Sequence, residues 1–314
     1  MSKPGSERPA GGPLRRLAFF AAFGVLRLVF GALLVLPYRA RIRLAGWTMA
    51  HVLVPLSGNG RVMLRNLSLA YPESPPEALR PIARAAADNI GRTIAEMWSG
   101  PAFVARVRDI VPEGPGVAAL AAARAEGRPV ILAGAHVGNY DAARAALIAQ
   151  GYRVGGLFQP MADPAFNRAY VRRIEALGRP LFPRGREGMT EMIRFLRAGG
   201  MLIIMTDLAV RHGPPLRFFG RRAHTATTAA DLALRYGADL IPFYGLRRED
   251  GLTFRIVIGA PVGRASPQEM MQALNDDVEA VVRAHPGQWL WVHRRWKAPR
   301  SGPPSALEVA AAGN

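Results

Sequence analysis

Apolar and polar positions along the chain follow three patterns. Residues 14–36 are apolar nearly all round, with Arg27 the only charge after Arg16, and the run stops at Pro37. Residues 58–98 repeat apolar positions at helical spacing. GNGRVMLRNLSLAYPE (58–73) reads as a loop, a basic amphipathic helix and a proline stop. Residues 77–98 put Leu79, Ile82, Ala86, Ile90, Ile94 and Met97 near one face of a second helix, which Gly100 and Pro101 break. From residue 129 onward, short apolar runs alternate with amphipathic stretches. Strands are predicted at 129–135, 152–158, 201–205, 238–244 and 254–258. Helices are predicted at 141–150, 166–177, 188–197, 225–236 and 267–284. This alternation argues for an α/β fold with a mainly parallel central sheet flanked by helices. The organisation expected is a disordered start and membrane-associated helix over 1–45, a main domain over 46–297 and a mobile tail over 298–314.

The first apolar run is near the roughly 20 residues that span a bilayer. Arg27 lies close to its middle, where a charge is costly unless it snorkels. Both flanks are basic, Arg15 and Arg16 before it and Arg39, Arg41 and Arg43 after it, so loop charge gives no crossing direction. An interfacial helix with both ends toward anionic lipid fits at least as well as a span. A buried core helix is the remaining alternative, ranked lower because the run is N-terminal and lacks a polar face. A cleaved signal peptide fits poorly, since Arg27 interrupts the run and no small-x-small site follows.

Charge narrows the partners. Of 314 residues, 41 are Lys or Arg against 23 Asp or Glu, a net charge of +18, and only Lys3 and Lys297 are lysines. A GC-rich genome explains arginine over lysine but not the excess over acids. That excess favours an anionic partner: lipid headgroups, an acidic protein or nucleic acid. No helix-turn-helix or RNA-binding signature supports nucleic acid. The absence of cysteine excludes disulfides and thiol chemistry.

The informative segment is AHVGNYD (135–141). A buried strand is expected to end at His136, with Gly138 and Asn139 in a turn and Asp141 opening a helix. Ligands in open α/β sheets bind at the carboxyl ends of strands. A carboxylate five residues on can fold back to accept a hydrogen bond from the imidazole, giving a general base for a hydroxyl nucleophile. On spacing alone two plainer readings compete equally: Asp141 as a helix-capping acid and His136 as a structural histidine.

The wider pattern resembles the bacterial lipid A late acyltransferases, the lauroyl/myristoyl transferase family. HVGNYD resembles that family's H-x-G-N-[WY]-[DE] block, and GRVMLRNLSLAYPE its R-N-L-x-x-x-x-P-E segment. RFFGRRAHTAT and PGQWLWVHRRWK (286–297) resemble two further blocks in the same order, so the resemblance covers roughly 14–297. It implies a glycerolphosphate-acyltransferase-like sandwich on the inner membrane, facing the cytoplasm. The activity implied is acyl transfer from acyl-carrier protein to a hydroxyl of a lipid A precursor, without metal or organic cofactor. His136 matches the family's catalytic histidine and Asp141 its paired carboxylate. Gly138 and Asn139 complete the block. A family arginine falls near Arg172 and Arg173, where a solvated helix face is the alternative. PRGREG (183–188), with Arg184 and Arg186, resembles a phosphate-holding R/K-G element, though an ordinary basic turn reads as well. It is not a P-loop.

Two departures stand out. The family's Y-R-P is Phe158-Gln159-Pro160 here, and its D-Q is Asp207-Leu208. Asp207 persists as a candidate substrate-binding residue. These changes keep another acceptor, a lysophospholipid or an amino-acid lipid, as the second reading. A non-catalytic binder is the third. His224 reads as a surface or capping residue, and Trp289, Trp291 and Trp296 as packing or membrane-interface residues. No His, Asp and Glu set has metal spacing.

Overall fold

A computed structural model describes residues 33–161, 163–210 and 213–297. The predicted start, nearly all of the first apolar run and the tail lie outside these. Among the described residues no helix is long and apolar enough to cross a membrane.

The helical first third comprises α1 (Tyr38–Thr48), a π-helical turn (Met49–Leu53), α2 (Val54–Ser57), α3 (Asn59–Ala70), α4 (Pro76–Ser99), α5 (Pro101–Val107) and α6 (Val117–Ala125). The α/β region follows as β1 (Val130–Gly138), α7 (Tyr140–Ala149), β2 (Val154–Phe158), α8 (Pro164–Glu175), β3 (Leu181–Pro183), α9 (Arg186–Arg197) and β4 (Met201–Met205). Then come β5 (Pro215–Phe218), β6 (Arg221–His224), α10 (Thr228–Tyr236), β7 (Asp239–Arg247), β8 (Phe254–Ile258) and α11 (Pro267–Ala284). Local chemistry sets several ends. Ser266 and Glu269 form a reciprocal capping box at α11, with Pro267 in its first turn. Gly237 takes the left-handed conformation that closes α10.

Six strands form one sheet in the order β3-β2-β4-β1-β7-β8, parallel except for antiparallel β8 on β7. The predicted α/β class with a mainly parallel sheet is what forms. Alternation along the central strands splits the core between two faces. Ile131, Ala133, Leu202 and Leu240 pack with α9, α10 and α11. Val130, Leu132, Ile203 and Ile241 pack with α6 and α7. The sequence pattern missed β3 and the β5–β6 hairpin, which are three and four residues long, too short for a periodic signal.

A third cluster closes the carboxyl end of the sheet. There Ala135 and Val137 of β1 meet Phe218, Phe219, Trp289 and Trp291, with Met63 and Leu67 of α3 behind them. The tryptophan-rich C-terminal segment therefore packs against the strand that carries His136.

Candidate active site

β1 does not end at His136. It runs on to Gly138, bulging between Gly134 and Gly138 before pairing Gly138 with Gly245 of β7. Gly138 sits at φ 61°, and a Cβ there would meet the Gly245 carbonyl oxygen at 2.1 Å, so glycine is required on two grounds. Asn139 then caps α7, its side-chain oxygen accepting the Asp141 backbone N–H at 3.0 Å.

The turn is clamped from α4. Asn89 donates to the Gly138 carbonyl at 2.9 Å and Thr93 to the same oxygen at 3.2 Å. Buried Glu96 accepts from the Asn139 amide at 2.8 Å. Glu96 is paired in turn with buried Arg247, which also donates to Asn89 at 2.8 Å.

The imidazole partner is not the predicted Asp141. His136 Nδ1 lies 2.8 Å from Asp207 Oδ1, while Asp207 Oδ2 accepts the His136 backbone N–H at 2.9 Å and the Trp289 indole N–H at 2.8 Å. The reason is register. β1 and β4 are parallel with Gly134 opposite Met205, so two residues further His136 meets Asp207. Asp141 is drawn elsewhere: its Oδ1 accepts from Arg144 Nε at 2.9 Å within the first turns of α7. Arg144, itself buried, spends its other nitrogens on the Gly178 and Ile174 carbonyls at 2.9 and 2.8 Å. Asp141 thus anchors the tie between α7 and the end of α8.

A carboxylate can only accept, so in the neutral ring the proton sits on Nδ1 and the Nε2 lone pair is free. Among the described residues Nε2 has no hydrogen-bond partner. Burial alone would lower the His136 pKa, but the Asp207 charge and hydrogen bond, helped by Asp141, raise it above the usual value. Burial pushes Asp207 up, yet the His136 charge and the three N–H donors bring it down to about 2. The pair is therefore a permanent carboxylate holding a histidine that titrates above its ordinary range.

His136 opens into a cavity of about 290 Å³ between β1, β2, β4, α7 and α8. Its walls are largely apolar, including Leu157, Ile174, Leu181, Ile203, Met205 and Leu208. Tyr140, Tyr170, Asp141 and Arg144 add polar atoms, and Arg184 and Gln159 line it as well. Both departures from the family pattern, Gln159 and Leu208, thus face this cavity.

The other predicted site residues are spread around it. Arg184 lies 3.5 Å from the Gln159 side-chain oxygen. Arg186 is exposed at the first position of α9, outside the cavity wall. Arg173 lies over the Trp98 ring and donates to its carbonyl at 3.3 Å, packing α8 on α4. Arg172 is exposed, and neither of these arginines lines the cavity. Sequence reasoning missed the roles of Trp289 and His293. His293 Nε2 accepts the Ala209 N–H at 3.2 Å, and burial holds its pKa below the usual value, in the neutral accepting form. Among the described residues no cluster of His, Asp and Glu is arranged to hold a metal ion.

A family model described as bacterial lipid A biosynthesis acyltransferase matches residues 14–298. The chain is 25% identical to the lipid A biosynthesis lauroyltransferase of Escherichia coli (strain K12) over 297 residues, covering 90% of this chain and 92% of that one. It is 24% identical to a phosphatidylinositol mannoside acyltransferase of Mycobacterium tuberculosis (strain CDC 1551 / Oshkosh) over 249 residues, 77% of this chain and 78% of the relative.

Proposed function

Because the chain belongs to the bacterial lipid A biosynthesis acyltransferase family, we propose that it moves a fatty acyl chain from acyl-carrier protein to a hydroxyl of a lipid A precursor, with His136 as general base. The observation that carries this reading is the His136–Asp207 pair at the mouth of an apolar cavity. The acceptor hydroxyl oxygen attacks the thioester carbonyl, forming the C–O bond. The hydroxyl proton passes to His136 Nε2, and Asp207 stabilises the imidazolium. As the C–S bond breaks, the same proton goes to the leaving thiolate. No electron acceptor enters this balance, and the thioester supplies the activation. Arg184, on the cavity wall with Gln159 and, among the described residues, without the carboxylate partner that Arg144 has, is a cation placed to meet negative charge on the substrate.

The apolar walls would take the acyl chain. Each buried methylene is worth about 0.8 kcal/mol, about fourfold in rate or affinity. One donor length should therefore be preferred, each methylene short of it costing up to that factor. Equal kcat/KM for donors from ten to sixteen carbons would contradict a rigid groove.

The inner membrane is the proposed location, with the catalytic domain in the cytoplasm. Leu44, Trp47, Leu53 and Leu56 are all exposed on α1 and the turns after it, and Arg39 and Arg43 are exposed beside them. An apolar strip with arginine neighbours suits an anionic lipid interface.

The deciding experiment is a mass spectrum of lipid A from cells lacking the gene, complemented by wild type or by His136→Ala. One secondary acyl chain should be missing and return only with wild type. An unchanged lipid A would move the acceptor to the second reading, another lipid. The mannoside-acylating relative and the Gln159 and Leu208 departures favour that reading, and the total lipid extract from the same cells tests it.

A further inference from the structure

A second concave site lies beyond the His136 cavity. It has a volume of about 510 Å³ between α3 and the C-terminal segment. Arg61, Arg65, Arg294 and Lys297 line it, and among the described residues no carboxylate does. All four side chains are exposed, and none forms a salt bridge among the described residues. Four unneutralised cations gathered in one concavity repel one another, and a multiply charged anion relieves that repulsion. The arrangement is built, not incidental. Buried Asn66, at the pocket floor, donates to the Trp291 and His293 carbonyls at 2.7 and 2.8 Å, fixing the C-terminal segment to α3.

The ligand's other half is also legible. Arg61 lines a neighbouring groove of about 640 Å³ whose walls join apolar Ala50, Val54, Leu56, Met63 and Leu64 to two further arginines, Arg80 and Arg84. A cationic pocket sharing a residue with a groove that has apolar walls and a cationic rim fits an amphiphile with a phosphate head and hydrocarbon tails better than a free ion. The pocket is also linked to the base through packed side chains. Trp296 forms one wall, its ring centroid is 6.2 Å from that of Trp289, and Trp289 donates to the Asp207 carboxylate that holds His136.

We propose that Arg61, Arg65, Arg294 and Lys297 bind a phosphate group on the acceptor lipid, seating its headgroup while its hydroxyl reaches His136. The assignment of that lipid as acceptor rests on the acyl-transfer reading above. Arginine suits the role because its guanidinium can bind phosphate oxygens in pairs. The proposal gives a use to the basic face of α3 and to Arg294 that the catalytic pair does not need.

The test compares full-length wild type, Arg65→Gln/Arg294→Gln, and a charge-matched control, Arg194→Gln/Arg197→Gln, on exposed positions of α9. Binding is measured by sedimentation with phosphatidylcholine vesicles with and without phosphatidic acid. Wild type and control should prefer the phosphatidic acid vesicles, and the pocket variant should lose about tenfold or more of that preference. Equal loss in pocket variant and control would reduce the effect to diffuse charge and overturn the proposal. Calorimetry with inorganic phosphate alone separates the two phosphate sources. Binding tighter than about 1 mM, roughly 4 kcal/mol, would assign the pocket to the free ion and overturn the lipid assignment. In transfer assays the pocket variant should raise the acceptor KM with kcat and donor KM unchanged. A rise in donor KM instead would hand the pocket to the donor. The vesicle measurement needs no catalysis, so it decides the pocket even if wild type transfers no acyl chain and the acyl-transfer reading fails.

Discussion

Asp207→Asn is expected to lower the acyl-transfer rate by about 10²–10⁴-fold, nearly as much as His136→Ala, with the protein still folded. The amide is almost the same size, and its oxygen can still accept either the two N–H groups that share Oδ2 or the one at Oδ1. It cannot accept all three. If the amide nitrogen faces Nδ1, the ring must put its proton on Nε2, the atom the hydroxyl needs. If the oxygen faces Nδ1, an N–H of the amide points at the His136 backbone N–H or the Trp289 indole. Either way the negative charge that stabilises the imidazolium is gone.

The pH profile separates this loss from simple misfolding. The working form of His136 is neutral, so wild-type kcat/KM should rise with pH through a pKa above 6.5. Asp207, titrating at about 2, stays ionised throughout any practical assay. Removing its charge deletes the main effect raising the histidine and leaves burial, which lowers it. The acid limb of Asp207→Asn should therefore move to lower pH while the plateau falls. A limb left in place would mean that Asp207 does not hold the base. An Asp141→Asn variant makes the contrast: its smaller charge effect moves the limb less, and its loss follows from loosening Arg144 and the end of α8.

The fold class and the position of His136 were legible because both depend on local pattern. Apolar runs of strand length alternate with helical periods, and the histidine follows one such run directly. The partner of the histidine was not legible, because it depends on strand order. Asp207 lies two residues past β4, as His136 lies two past Gly134. Once β1 and β4 are known to be parallel neighbours, that coincidence names the pair. Nothing in either strand's composition says that β4, not β2, lies beside β1. Asp141 was the nearer carboxylate in sequence, but the cap made by Asn139 starts the helix at once and turns the Asp141 side chain to Arg144. Trp289 was read as packing, and it does pack. Its indole N–H nevertheless needs an acceptor when buried, and the acceptor is Asp207.

The contact between Glu96 and Arg247 was equally invisible, 151 residues apart in the chain. Its loss should carry a large stability cost. Glu96→Leu leaves the Arg247 guanidinium buried without its counter-charge, a change worth about 3–5 kcal/mol. At about 2–4 °C per kcal/mol for a domain of this size, the melting temperature at pH 7 should fall by roughly 10 °C. Adding Arg247→Leu removes the stranded charge and should restore part of the loss, since a buried pair is often replaceable by apolar volume. Full recovery is not expected. Arg247 also donates to Asn89 and Thr93, and Glu96 also accepts from Asn139, so the double variant leaves those polar groups short of partners. Asn89, Thr93 and Asn139 are the residues that hold the turn after His136. A double variant that regained its melting temperature but not its kcat would show that the pair acts mainly by positioning that turn. Equal recovery of both would place its contribution in global stability alone.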